Sequence, residues 1–555
     1  MRSLFPRAAP VVFAFVLIAF AVSVGVRTTS ELTWPGQDWS GAGIDLYRDI
    51  ASAQTMIDTG YGPDPTYLDE KTWYNPLTPG ITAVVSAVTG LPVYVVATRI
   101  GAYVNVLAPL TFLLLCIKLF DRWTAFYATA AFLFLTSGPL PSWVSATYSP
   151  WFMPVNFVQA LFYPAVLVLW KAHRTGRVAW YLAAGAAWGL VFLGHTAPAL
   201  ILGVMNCLWL ASLAWRAWRE RDAARQARRR EALKRGAVRF ALMAAVAVVV
   251  SAPFVLIIAG HYGLRIKNSV PSAFSYELLA RGLPRLIVIH LTIPMAFALA
   301  GLISLWRRRS HGTARLLVLS WVASCLLFLS YSTFRLAAKT VGIELPSIVP
   351  SFHFLFYLKA ATAVLFGVGL RVAAAWAWNR WGRRGPVVTL HPWVGTPIAV
   401  GVCALLLVPA LLAYRSRADF VQELSDAKRV PGSAEQRAFQ FLRERVGPRD
   451  VVLASDRDGA VVVTPTGAKV VAIFEGFSNP YVDLAPRVAA RDRMIASLAT
   501  GDVATFRTLA SQYGVTWVVL RPPATVADSQ VWQGTLEFAS SADRLRIYRV
   551  VPATR

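Results

Sequence analysis

Apolar stretches of roughly 17–25 residues, the length that crosses a bilayer core as a helix, recur along this chain with short polar connections between them. Eleven spans are expected, at 8–26, 96–119, 123–139, 155–170, 178–194, 196–215, 240–260, 285–306, 315–334, 353–377 and 393–414. The stretch 178–215 reads as two spans meeting near His195. Every second connection is basic. Arg2 and Arg7 start the chain, Lys118 and Arg122 follow the second span, and Lys171, Arg174 and Arg177 follow the fourth. Ten Lys/Arg then run from Arg216 to Arg239, followed by Arg307–Arg309 with Arg315 and by Arg371, Arg380, Arg383 and Arg384. By the positive-inside rule the N-terminus is cytoplasmic and the C-terminus extracytoplasmic, in a multi-pass protein of the cytoplasmic (inner) membrane. The first apolar run is too long for an ordinary signal-peptide core and is expected to stay as a span.

Beyond the last span the pattern changes. β-Branched runs bounded by Asp, Gly and Pro predict strands at Val451–Ala454, Ala460–Thr464, Val470–Phe474, Val515–Leu520 and Leu545–Val550. A capping box at Ser433 opens a helix, and 485–500 and 503–512 carry helical spacing. The expected fold class is therefore a polytopic α-helical membrane protein with a C-terminal extracytoplasmic mixed α/β domain. The division falls at 1–414 and 415–555. The tail holds no Gly-rich phosphate loop, and Asp456 and Asp458 read as turn residues, so it is expected to be a lid or an acceptor-docking module.

Composition narrows the classes. Of 555 residues 56% are hydrophobic and only 15% charged, which excludes disorder and an ordinary soluble enzyme. The net charge of +26 would suit a nucleic-acid binder, but most of that net charge sits in the cytoplasmic connections and records membrane orientation, so no nucleic acid is expected. All four cysteines fall inside expected spans, leaving no disulfide framework.

The first outer loop, 27–79, departs from the basic trend. It carries Glu31, Asp38, Asp45, Asp49, Asp58, Asp64, Asp69 and Glu70 against Arg27, Arg48 and Lys71. From Gly43 to Thr59 the apolar spacing predicts an amphipathic helix at the membrane surface. Asp45 and Asp49 share one face near its start, where the dipole favours a carboxylate. The loop then runs through Trp73-Tyr-Asn-Pro-Leu-Thr-Pro79 into a second apolar segment at 80–94, too short to span.

Gly43-Ile-Asp-Leu-Tyr-Arg48 followed by Trp73-Tyr-Asn-Pro-Leu77, with an Asp just outside the first span and two surface helices before the next, resembles the GT-C superfamily of membrane glycosyltransferases. The likeness is sharp over 10–120, closest to the branch that uses polyprenyl-phosphate mannose, and architectural beyond. It implies that Asp45 is the general base. Leu46 stands where some members have Glu, and the 138–154 connection holds no acid, so the resemblance implies neither a metal nor another cofactor.

A sugar on a polyprenyl phosphate already has a good leaving group. What remains is a base for the acceptor hydroxyl and cations for the departing phosphate, with inversion at the anomeric carbon. Cations outside run against the positive-inside trend and are candidates for that phosphate. They are Arg265 and Lys267, Arg335, and Lys359 several residues into a span, where a charge is expensive unless it has a partner or a wet cavity. Further substrate-binding candidates are Asp49, Tyr74, His195, His261 and Glu277. Each has a plainer alternative: a helix cap for Asp45 and Asp49, snorkelling for Lys359, an interfacial ring for Tyr74 and the histidines. The partners expected are a polyprenyl-phosphate sugar donor, a lipid, polysaccharide or protein acceptor, and membrane lipids. The transferred unit is a hexose or a pentose. The competing classes are a flippase for lipid-linked sugar, although no internal repeat is evident, and a non-catalytic binding protein of the same fold.

Overall fold

The computed structural model describes residues 5–30, 32, 34–35, 42–135, 148–268, 293–307, 312–343, 345, 349–350, 352–381, 396–417, 432–526 and 530–552. In chain order its helices are α1 (Phe5–Thr29), α2 (Ala42–Thr59), α3 (Leu77–Thr89), α4 (Val93–Leu119, interrupted at 105–106), α5 (Arg122–Phe134), α6 (Pro154–Thr175), α7 (Val178–Gly194), α8 (Thr196–Trp218), α9 (Ala223–Tyr262), α10 (Ile293–Arg307), α11 (Gly312–Thr340), α12 (His353–Trp381) and α13 (Thr396–Arg417). Among the described residues α1, α4, α6, α8, α9, α11 and α12 are long and apolar enough to cross a membrane. The shorter or less apolar α5, α7, α10 and α13 stand at the other four expected positions. The protein is a polytopic helical membrane protein with a small C-terminal sheet.

Local chemistry sets the helix ends. Asp121 caps α5 by accepting the N–H groups of Trp123 and Thr124, and Asp222 caps α9 from Arg225. Gly90, at φ 70°, stops α3 in the left-handed region that glycine enters without a Cβ clash. The second surface helix therefore occupies 77–89 and not the expected 80–94: Gly90 ends it, and Pro92 opens the next helix. Close helix crossings rest on small residues. A Cβ at Gly369 would collide with the carbonyl of Phe297, and one at Gly301 with that of Leu365, so α10 and α12 touch backbone to backbone.

The C-terminal domain opens with α14 (Ala434–Arg443), capped by Ser433 as expected. It continues through β1 (Val451–Leu453), β2 (Lys469–Val470), α15 (Ala485–Thr500), α16 (Val503–Tyr513), β3 (Val515–Leu520), β4 (Leu536–Ala542) and β5 (Leu545–Val550). The sheet order is β2-β1-β3-β5-β4, with β1 parallel to β2 and β3, and β5 antiparallel to β3 and β4. Two expected strands fail. Ala460–Thr464 belongs to a helical stretch, 456–466, wound partly as π-helix, and only the start of 470–474 pairs. β4 was not foreseen, because its exposed polar sequence lacks a clean alternation.

One apolar core joins the domain to the first loop. Leu46, Tyr47 and Ile50 of α2 pack with Val461, Val462 and Phe439 of the domain. Polar bonds stitch the same seam. Arg443 grips both oxygens of Asp58 at 3.0 and 3.2 Å, Arg449 reaches Asp69 at 3.2 Å, and Asn479 donates to Asp64 at 2.7 Å. Lys469 lies buried against Thr55, 3.3 Å away. Three of the loop's acids, Asp58, Asp64 and Asp69, are thus matched by the domain.

Candidate active site

Two acids of the loop are held by the loop itself. Asp45, in the first turn of α2, pairs with Arg48 one turn on, Oδ1 to NH1 at 3.1 Å. Arg48 turns its remaining nitrogens to Asp49, whose Oδ1 accepts Nε at 3.2 Å and NH2 at 3.1 Å. The expected shared face is therefore real, and Arg48, counted in the sequence only as one of three bases, is its centre. The guanidinium lies over Tyr74, 3.7 Å from the ring centroid, and within 5.2 Å of the Phe477 ring from the C-terminal domain.

Exposure separates the two carboxylates. The Asp45 side chain is 45% exposed and that of Asp49 only 4%. Asp49 Oδ2 is buried with no hydrogen-bond partner. Burial pushes the Asp49 carboxyl up to about 7 against the opposing pull of Arg48, with Asp45 adding to the rise. Burial also opposes the charge of Arg48, but Tyr74, Asp49 and Asp45 more than offset it and the guanidinium stays protonated. The Tyr74 hydroxyl is raised by burial. Asp49 and Tyr74 are thus the buried partners of Arg48, and Asp45 is its accessible carboxylate.

His195 lies beside this group. It is buried between α7 and α8 and caps α8, Nδ1 accepting the N–H of Ala197 at 3.1 Å, which leaves Nε2 to carry the proton of the neutral ring. Burial, then His353, then Arg48 hold it neutral. The His353 ring at the start of α12 is 4.6 Å from it, centroid to centroid. Asn75 ties the loop to the same helix ends, donating to Phe192 O at 2.6 Å and accepting from Thr196 at 3.3 Å. His353, absent from the residues expected at the site, holds the same kind of helix-end position as His195.

The other expected residues disperse. His261 is 3.8 Å from Glu70, and Lys267 lines a separate cleft together with it. Arg265 is exposed just after α9. Arg335 and Lys359 are half-buried on α11 and α12, the latter on the same helix as His353. Glu277 lies outside the described residues. Among the described residues no three His, Cys, Asp or Glu side chains are gathered to hold a metal ion.

No protein-family model matches the sequence, and no curated protein matches it. Solved structures do. The oligosaccharyltransferase of Archaeoglobus fulgidus in the apo form superposes with a TM-score of 0.56 at 12% identity, over 94% of this chain and 70% of that one. ArnT from Cupriavidus metallidurans bound to undecaprenyl phosphate gives 0.55 at 13% identity, over 97% of this chain and 98% of that one. A mutant of the arabinofuranosyltransferase AftD from mycobacteria gives 0.50 at 16% identity, over 98% of this chain and 42% of that one. The chain has the fold of the GT-C superfamily of membrane glycosyltransferases.

Proposed function

We propose that this protein is a membrane glycosyltransferase that moves a sugar from a polyprenyl-phosphate-linked donor to an acceptor hydroxyl, without a metal, on the membrane face that carries the C-terminal domain, taken as the outside. The observation that supports it most is the contrast within α2: Asp45 half-exposed and Asp49 sealed, both on one arginine. In this reading Asp45, with Oδ1 held by Arg48, receives the acceptor proton on its other oxygen. The acceptor oxygen bonds to the anomeric carbon as the bond from that carbon to the phosphate oxygen breaks. Polyprenyl phosphate departs and the anomeric centre inverts. His195, through its Nε2–H, and Lys359, on the same helix as His353, are the proposed partners of the phosphate. ArnT was captured with undecaprenyl phosphate, which supports a lipid-phosphate donor here.

Asp45→Asn tests the assignment. Transfer of radiolabelled sugar from a polyprenyl-phosphate donor is expected to fall by about 10²–10⁴-fold, with donor binding retained. Unchanged transfer would remove Asp45 as base. Movement of lipid-linked sugar across vesicles without any transfer would replace the enzyme by a flippase.

A further inference from the structure

The segment 474–483 reaches the Asp45 group at one end and a cleft at the other. Phe477 covers Arg48. Beyond it, Tyr481 and Asp483 line a cleft of about 400 Å³, inside the roughly 300–1,000 Å³ range of small-molecule sites. Three parts of the chain meet there: Glu70 from the acidic loop, Tyr262 and Lys267 from the end of α9 and just after it, and Tyr481, Asp483 and Arg487 from the C-terminal domain. The proposed chemistry at Asp45 uses none of them.

The cleft is braced on every side. The N–H groups of Lys267 and Asn268 both donate to the Pro480 carbonyl, at 2.8 and 2.9 Å. Asn479 donates to Asp64 and to the Tyr262 hydroxyl, at 2.7 and 2.9 Å. The rings of Tyr262 and Tyr481 stack 4.8 Å apart and 12° from parallel, a fixed aromatic platform. Acid and base alternate around it: Glu70 lies 3.9 Å from Arg487 and 3.8 Å from His261, while Lys267 and Asp483 stand exposed at the rim.

This lining selects among occupants. A lipid chain needs an apolar wall, and here charged groups surround the platform. A polyanion would meet Glu70 and Asp483. A sugar chain has flat C–H faces for aromatic rings and hydroxyls that both donate and accept, which suits tyrosines set among carboxylates and cations.

We propose that the cleft is a distal subsite for an oligosaccharide acceptor, holding sugar units behind the hydroxyl presented to Asp45. This rests on the glycosyltransferase reading and narrows its acceptor to a glycan chain. The test uses the full-length protein in nanodiscs and calorimetric titration with α-linked mannohexaose and arabinofuranohexaose, with the corresponding monosaccharides, and with a serine- and threonine-containing decapeptide. One hexasaccharide is expected to bind at least about tenfold more tightly than its monosaccharide. Tyr481→Ala is expected to weaken it by about three- to tenfold, and so is Lys267→Met, whose exposed side chain can be changed without unfolding the cleft. Wild-type hexasaccharide affinity in both variants overturns the proposal, as does preference for the decapeptide over both hexasaccharides. Asp45→Asn separates the two readings. Lost transfer with hexasaccharide binding intact supports both. Retained transfer, with binding still lost in the cleft variants, overturns the base assignment and leaves the subsite standing.

Discussion

Asp49 holds Arg48 through one oxygen only: Oδ1 accepts both Nε and NH2, while Oδ2 lies buried without a partner. The carboxyl that results sits at about 7, against an ordinary value of 3.8. Because the folded state binds this proton more tightly than the unfolded chain, stability falls as pH rises from about 4 to about 7. Asp49→Asn is expected to remove that component of a thermal-melt series. It should also remove an inflection near pH 7 from the transfer rate, since ionised Asp49 competes with Asp45 for the guanidinium. An unchanged profile would mean that Asp49 does not titrate in this range.

Arg48→Met leaves Asp49 buried beside no cation. Both carboxylates lose their shared hydrogen-bond donor, so a lower melting temperature and loss of transfer are expected together. Arg48→Lys is expected to restore part of the stability and little of the activity, because an ammonium does not meet Asp45 and Asp49 at once across the Tyr74 face. Full activity in the lysine variant would show that the shared geometry is dispensable.

His195 has two roles that substitution separates. His195→Asn keeps a side-chain acceptor for the α8 cap and loses the ring beside His353, whereas His195→Ala also loses about 1 kcal/mol of capping. Both variants are expected to raise KM for the lipid-linked donor, and only the alanine to lower the melting temperature. Equal KM in wild type and His195→Asn would make the histidine a cap and nothing more.

Lys469 is buried against the acidic loop, and burial lowers its ammonium to about 8, with Asp64 and Asp58 pulling the other way. Between about 8 and 10.5 the unfolded chain holds the proton that the folded chain has shed, so stability rises with pH across that window. Lys469→Met is expected to flatten this rise. A parallel slope in wild type and variant would count against a titrating lysine in the seam.

Much of this architecture was legible in the sequence, because a run of apolar residues long enough to span has few other uses. The helix α2 was legible through its spacing, and with it the face that Asp45 and Asp49 share. What escaped depended on partners remote in the chain. Val461, Val462 and Val463 look like a strand, but packing against α2 winds them into a helical turn. The acids of the loop invited a purely chemical reading. In the fold Arg443, Arg449 and Asn479 absorb three of them, while Asp45 and Asp49 stay paired on Arg48.

The core shared by α2 and the C-terminal domain also imposes an order on assembly. Leu46, Tyr47 and Ile50 emerge from the ribosome hundreds of residues before Phe439, Val461 and Val462, which cover them. Through most of synthesis and insertion the nascent chain displays a bare apolar helix on the face awaiting its last domain. A chain cut short after α13 would lack the residues that cover this surface and would present Leu46, Tyr47 and Ile50 without their domain partners.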